Sequence, residues 1–345
     1  MNGHIEIVNP IDHQGWDEQL VSDEQYSFFH TAAWAKVLAE TYQYRPVYFT
    51  VLDDDRLLAL IPMMEVRSLW GTPRGVCLPF TDYCDPVISD ELQVPDIVEV
   101  IKEYGRQCRW ESIEIRGRCF PDTTTRSTSY YRHTLTLGPD VERLLSRLKS
   151  NTRRNIKKAI REGVQIDIST SAQAVEEYYR LHCMTRKRQG VPPQPRSFFR
   201  KIHEHIIANE RGVVILARHE KTNVAGSIFF GFQNKALYKF GASDIAYQHL
   251  RPADLVMWEG IQWHARNGYR HFCFGRTSLE NTGLRQFKAR WGADEQVIDY
   301  YKYDLRQDTF LTEESLVKES HHRIFRKMPI PLLKAVGSVA YKYIG

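Results

Sequence analysis

Apolar and polar positions follow the same order twice along the chain. The run VYFTVLDDDRLLALIPMMEVR (Val47–Arg67) reads as two apolar strands joined at Asp53-Asp54-Asp55. VVILARHEKTNVAGSIFFGFQ (Val213–Gln233) has the same form, with its turn at His219–Asn223. Each pair is followed by another apolar run, Gly75–Ile88 in the first copy and Ala236–Gln248 in the second. A helix comes next in both: Ile97, Val100, Ile101 and Tyr104 share one face, and so do Leu255, Trp258, Ile261 and Ala265. Each helix runs into a short strand, SIEIRG (Ser112–Gly117) and HFCFGR (His271–Arg276). Repetition of a whole supersecondary unit predicts two similarly built α/β domains, each a mixed sheet flanked by helices.

Helical sequence precedes each strand pair. Thr31 is placed to cap a helix over Ala33–Tyr42, with Trp34, Val37, Leu38 and Thr41 on one face. In the second half, Val175, Tyr178, Tyr179 and His182 form one stripe, and Phe199, Ile202 and Ile206 another. GVPPQP (Gly190–Pro195) between them must be a loop, because proline fixes φ and removes a donor. Val141, Leu144, Leu145 and Leu148 predict a short helix, and Ser150 or Asn151 caps a second one ending at Gly163. The expected division is 1–145 for the first domain, joined by part of 305–345, and 146–304 for the second. Residues 320–345 form a basic amphipathic segment in which Pro329 and Pro331 push any helix to start at or after Pro331.

Composition narrows the class. With 345 residues, 42% hydrophobic and 26% charged, the chain is long enough for two cores and too apolar for general disorder. No apolar run approaches the roughly 18–20 residues of a membrane span, and the N-terminal residues lack the layout of a secretory signal. A cytoplasmic protein is the expectation, with peripheral contact at the inner face of the membrane as a further one. Six scattered cysteines without a C-x-x-C pair read as buried free thiols. The net charge is only +5, but twelve of the cations lie in Arg147–Arg161 and Ser320–Gly345, neither of which holds a carboxylate. Basic charge concentrated in this way favours anionic partners at two places.

Several chemistries lose their best support. There is no G-x-G-x-x-G after a strand, no G-x-x-x-x-G-K-S/T, no H-E-x-x-H and no G-x-S-x-G. The thirteen histidines show no metal-ligand spacing, so no metal site is expected.

Three stretches together resemble one family: SNTRRNIKKAIREGV (Ser150–Val164), HCMTRKRQGVPPQPRSFF (His182–Phe199) and FCFGRTSLENTGLRQFKARWGADEQVIDYY (Phe272–Tyr301). They are similar to the FemABX-like proteins, relatives of the enzymes that add amino acids to peptidoglycan precursors, built from two tandem GNAT-like acyltransferase domains. The resemblance extends over almost the whole chain and is most specific in F-G-R-T…G-L-x-x-F-K-x-x-W-G. It implies an acyltransferase acting on a cell-envelope, exopolysaccharide or peptidoglycan precursor, with a nucleotide- or lipid-linked saccharide or peptide as acceptor. It implies no permanently bound cofactor and either acyl-CoA or aminoacyl-tRNA as co-substrate.

That chemistry needs an amine positioned against an activated carbonyl and a counter-charge for the tetrahedral oxyanion. The resemblance gives Lys288 of the Phe287-Lys288 pair the role of neutralising charge near the carbonyl. The plain alternative is a solvated lysine, with Leu284, Phe287 and Trp291 on the buried side of its helix. The same resemblance sets Phe287, Trp291, Arg186, Arg188, Asp82 and Tyr83 among substrate-binding residues, and their places at a strand end and on the central strand region add Arg276 and Tyr238. Each has a bland reading too. Arg276 suits an ion pair with Glu280 or Asp294, and Tyr238 suits a core position with a satisfied hydroxyl. Arg186 and Arg188 suit a helix C-terminus, and Asp82-Tyr83 suits a turn.

One departure bears on the donor. GNAT enzymes using acyl-CoA carry a glycine-containing loop whose N–H groups cradle pyrophosphate at a helix N-terminus. Here QHLRPADLVMW (Gln248–Trp258) holds no glycine, and Pro252 removes a donor. Residues 147–161 are basic enough to meet tRNA, and 323–345 to meet an anionic inner-membrane surface. Two rival functions remain open: a catalytically silent binding module in polysaccharide assembly, and an acetyl-CoA-dependent sugar N-acetyltransferase.

Overall fold

Both copies of the repeated pattern fold into the same arrangement, a mixed sheet whose one parallel strand pair is bridged by a helix. The computed structural model describes residues 4–21, 25–53, 56–69, 71–88, 94–312 and 319–344. The chain divides into a first unit, Met1–Tyr130 with Val297–Leu316 and Ala340–Gly345, and a second, Tyr131–Gln296 with Val317–Val339. The crossings at 130/131 and 296/297 fall inside the strands Thr128–Thr136 and Asp294–Asp304, whereas hydrophobic patterning puts the joints at 145/146 and 304/305.

In the first unit, His4–Val8, Arg45–Asp53, Arg56–Arg67 and Pro73–Val76 run antiparallel in that order. Ser112–Arg116 then adds parallel to Pro73–Val76 and pairs on its other side with the strand Asp294–Asp304. Helix Val94–Gln107 makes the crossover that a parallel pair requires. It covers Val47, Phe49, Ile61, Ile113 and Ile115 with Ile97, Val98 and Ile101. Trp110 lies flat on Gly75, where any Cβ would strike the indole, so a glycine is obligatory at that strand position. The expected turn at Asp53-Asp54-Asp55 falls partly outside the described residues, since Asp54 and Asp55 are not among them.

The second unit repeats the plan. Gln165–Ser169, Gly212–His219, Thr222–Phe232 and Lys235–Ser243 are antiparallel neighbours. His271–Ser278 adds parallel to Lys235–Ser243, and Thr128–Thr136 follows in the sheet order. Helix Pro252–Arg266 is the crossover and starts with Pro252 in its first turn, where a missing N–H costs nothing. Helix Ala172–Gln189 buries the expected Val175, Tyr178, Tyr179 and His182 and stops at Gly190, whose φ of 75° supplies the left-handed cap. Two local expectations fail. Helix Ser150–Arg161 is preceded by Lys149 without a side-chain cap, so neither Ser150 nor Asn151 takes that role. At the C-terminus there are two helices, Glu319–Lys327 and Ile330–Ile344, and the second begins one residue before Pro331. All six cysteines are free, and Cys108 alone among them is not fully buried.

Among the described residues, no helix is long and apolar enough to cross a membrane.

Candidate functional site

The chemistry-bearing side chains of the second unit gather where its parallel pair comes apart. Lys235–Leu237 pairs with His271–Cys273, and each strand then continues beyond the ladder. On the first of these strands Lys239 is an extra residue, since Ile228 faces Phe240 and Phe229 faces Tyr238. A bulge of this kind bends the strand and re-aims its side chains. On the other, Gly275 has φ 70°, a left-handed conformation that an L-residue with a Cβ adopts only at a cost. The turn in the backbone there aims two successive carbonyls at one group. Lys288 Nζ donates to the Gly275 and Arg276 carbonyls, both at 2.9 Å.

Lys288 is brought to that point by helix Thr282–Ala289, capped by Asn281 through the Leu284 N–H at 3.0 Å. The solvated-lysine alternative is overturned, because Lys288 is 2% exposed. The helix itself buries Lys288, while Leu284 and Phe287 are only half-buried. Burying an ammonium costs free energy that only close polar partners offset, and the two carbonyls supply them. Trp291 is fully buried in the core of the unit. It anchors the residues that follow the helix, and its ring is covered in this structure.

Behind Lys288 lies a group that the sequence did not single out. His133, on strand Thr128–Thr136, is fully buried, with Nε2 2.9 Å from Glu295 Oε2. The contact is close but off the hydrogen-bond line. Arg285 binds both carboxylate oxygens of Glu295, at 2.8 and 2.7 Å, and its guanidinium stacks 4.0 Å over the Tyr131 ring. Arg285 first, with His133, holds the Glu295 carboxyl below the usual range. Burial, together with the Lys288 charge, holds the His133 imidazole below the usual value and therefore neutral at pH 7. The alternation that buries His133, Leu135 and Leu137 was the available signal for this residue.

The other expected site residues fall into separate places. Arg276 is half-buried in its strand, and Glu280 accepts from Ser278 Oγ at 2.7 Å. Tyr238 is half-buried against the core, its hydroxyl lying over Gly241. Tyr238 and Arg186 both act on the buried Tyr178 hydroxyl, which burial first and then Tyr238 push upward and Arg186 eases. Arg186 also ties down the proline loop through the Pro192 carbonyl at 3.3 Å, while Arg188 is exposed in the last helical turn. Phe287 lies under the Arg290 guanidinium, 4.5 Å from its ring centre. Asp82 and Tyr83 belong to the first unit, where Tyr300 donates to the Asp82 carbonyl at 2.9 Å and Tyr83 packs edge-on against Phe29.

The second unit carries two open grooves, one beside the Lys288 helix and one along helix Ser150–Arg161. One, of about 580 Å³, is lined by Lys149, Asn151, Gly283, Gln286, Phe287 and Arg290. The other, of about 880 Å³, is lined by Arg153, Arg154, Lys157, Lys158, Arg161 and Arg251, with Glu142 its one carboxylate. The first turn of helix Pro252–Arg266 holds its own anion: Asp254, 6% exposed, is paired with Arg290. Burial raises the Asp254 pKa, and Arg290, Asn155 and Arg251 keep it from rising further.

The comparisons with known proteins fall on this framework. Residues 146–289 match a family described as the acetyltransferase (GNAT) domain. The UDP-N-acetylmuramoylpentapeptide-lysine N(6)-alanyltransferase of Weissella viridescens is 26% identical over 148 residues, 43% of this chain and 44% of that protein. The alignment thus spans less than half of the relative. The crystal structure of FemX superposes with a TM-score of 0.68 at 12% identity, over 86% of this chain and 96% of that one. A tandem GNAT protein from the clavulanic acid pathway gives 0.58 at 8% identity, over 88% and 99%. The domain match thus falls within the second unit, and the fold of the chain is similar to that of tandem GNAT proteins such as FemX.

Proposed function

We propose that the protein transfers an aminoacyl group from a tRNA ester to an amine of a cell-envelope precursor. The buried Lys288 ammonium, held by two carbonyls beside a neutral histidine, is the observation that carries this reading. An amine attacks the ester carbonyl, a C–N bond forms, and negative charge develops on the carbonyl oxygen. A fixed cation in a water-poor setting stabilises that charge more than the ground state, which is the condition for catalysis. Collapse then breaks the C–O bond, and the proton lost by the amine leaves with the tRNA hydroxyl. The relative's printed activity, alanine onto a lysine amine of a UDP-linked muramoyl peptide, supports a peptidyl amine as acceptor.

Two features favour tRNA over acyl-CoA as donor. The helix that would receive a pyrophosphate begins Arg251-Pro252-Ala253-Asp254, so one N–H is missing and a carboxylate already sits in its first turn. The six-cation groove along helix Ser150–Arg161 suits a polyanion. A competition experiment tests the choice. Alanyl-tRNA with UDP-linked muramoyl pentapeptide is expected to yield an alanylated lysine, unaffected by excess acetyl-CoA. Transfer from acetyl-CoA, or binding of the acceptor without any transfer, would replace this reading with the sugar acetyltransferase or the silent module.

A further inference from the structure

The C-terminal helices leave an apolar edge in water that the proposed chemistry does not use. Helix Ile330–Ile344 buries Leu333, Gly337 and Tyr341, four residues apart and so on one stripe. Leu332 and Val339, seven apart, share the opposite side and are 57% and 62% exposed. Ile324 on helix Glu319–Lys327 is 59% exposed, with Arg323, Arg326 and Lys327 exposed around it. The sequence from Ser320 onward holds five cations and no carboxylate. Apart from Glu319 at the start of its helix, the charge along the segment that carries these exposed aliphatics is positive, which suits an anionic partner. The occupant must be anionic at the level of the cations and hydrocarbon just beyond them.

We propose that Glu319–Lys327 and Ile330–Ile344 dock on the headgroup layer of an anionic bilayer. Ile324, Leu332 and Val339 reach the acyl boundary, and Arg323, Arg326 and Lys327 lie among the phosphates. The segment lies on the membrane rather than across it, since no described helix is long and apolar enough to span one. This deepens the proposed function, because docking brings the enzyme to lipid-linked amine acceptors.

The test is co-sedimentation of the full chain with phosphatidylcholine vesicles, with or without phosphatidylglycerol. Binding is expected only with phosphatidylglycerol. Leu332→Asp with Val339→Asp, and separately Arg326→Glu with Lys327→Glu, are expected to weaken it about tenfold or more. These positions are exposed, so thermal melts of the variants should match the parent. Equal binding to both vesicles, no binding to either, or unchanged binding by the variants would overturn the proposal. Light scattering that showed a dimer lost in Leu332→Asp would also overturn it, by giving the face to a second copy. Transfer to a soluble acceptor is read separately and should not change in these variants, so a failure of docking is distinct from a failure of the proposed chemistry.

Discussion

The two units end their crossover strand in different ways. In the first, Ser112–Arg116 finishes on a buried Arg116 paired with Glu114 at 2.7 Å, donating to the Leu78 carbonyl at 3.1 Å and lying under the Tyr300 ring. Burial works against both charges, yet Arg116 holds Glu114 low and Glu114 holds Arg116 high, so the pair closes on itself. In the second unit, the matching strand places Gly275 where Arg116 stands, and a lysine from another helix binds the carbonyls that the glycine exposes. One copy uses its buried cation to lock a loop. The other holds its cation with carbonyls, beside a neutral histidine rather than a carboxylate, so it keeps positive charge to offer. A shared fold thus ends its crossover strand in two ways, and the proposed function draws on the second.

Acid should separate the units first. Burial pushes His182 down to about 3 and His264 down to about 4, and both belong to the second unit. The unfolded chain takes up these protons below about pH 6.5 while the folded one does not, so stability falls as pH drops through that window. Between pH 6.5 and 5 the loss is about 2 kcal/mol for each histidine. Denaturant midpoints measured against pH should show it, and His182→Gln with His264→Gln should flatten the slope.

Breaking the Asp254–Arg290 pair comes next. Arg290→Ala strands a mostly buried carboxylate and should cost about 3 kcal/mol, whereas Asp254→Leu with Arg290→Met should recover most of it. Chemical denaturation of the three variants checks this.

Glu114→Gln in the first unit sharpens the comparison. It removes the charge that holds Arg116 and should cost about 2 kcal/mol of stability with little change in transfer rate. Gly275→Ala should cost only about 1–2 kcal/mol, because the residue sits at φ 70°. Its transfer rate should nevertheless fall, because the carbonyl that holds Lys288 turns away. If both variants changed rate equally, the contrast between the units would be lost.

Local sequence made much of this architecture readable. The paired strands read as apolar runs broken by turn residues and are buried on both faces, and Thr31 accepts from the Trp34 N–H at 3.4 Å as a cap should. The strand Gln165–Ser169 was not readable, because it is half-exposed and lacks a run of buried positions. Arg285 and Glu295 meet across ten residues and two elements, which no periodicity encodes. The burial of Lys288 was likewise hidden: a lysine at helical spacing beside Trp291 reads as solvated until Gly275 turns two carbonyls toward it.

In the proposed reaction Lys288 carries the charge that the developing oxyanion needs. Single-turnover transfer from alanyl-tRNA to UDP-linked muramoyl pentapeptide, compared between the parent and Lys288→Met, tests it most directly. The account predicts a loss of about 10²–10³ in rate with the variant still folded by near-ultraviolet circular dichroism. A folded Lys288→Met protein that transfers at the parental rate would contradict it.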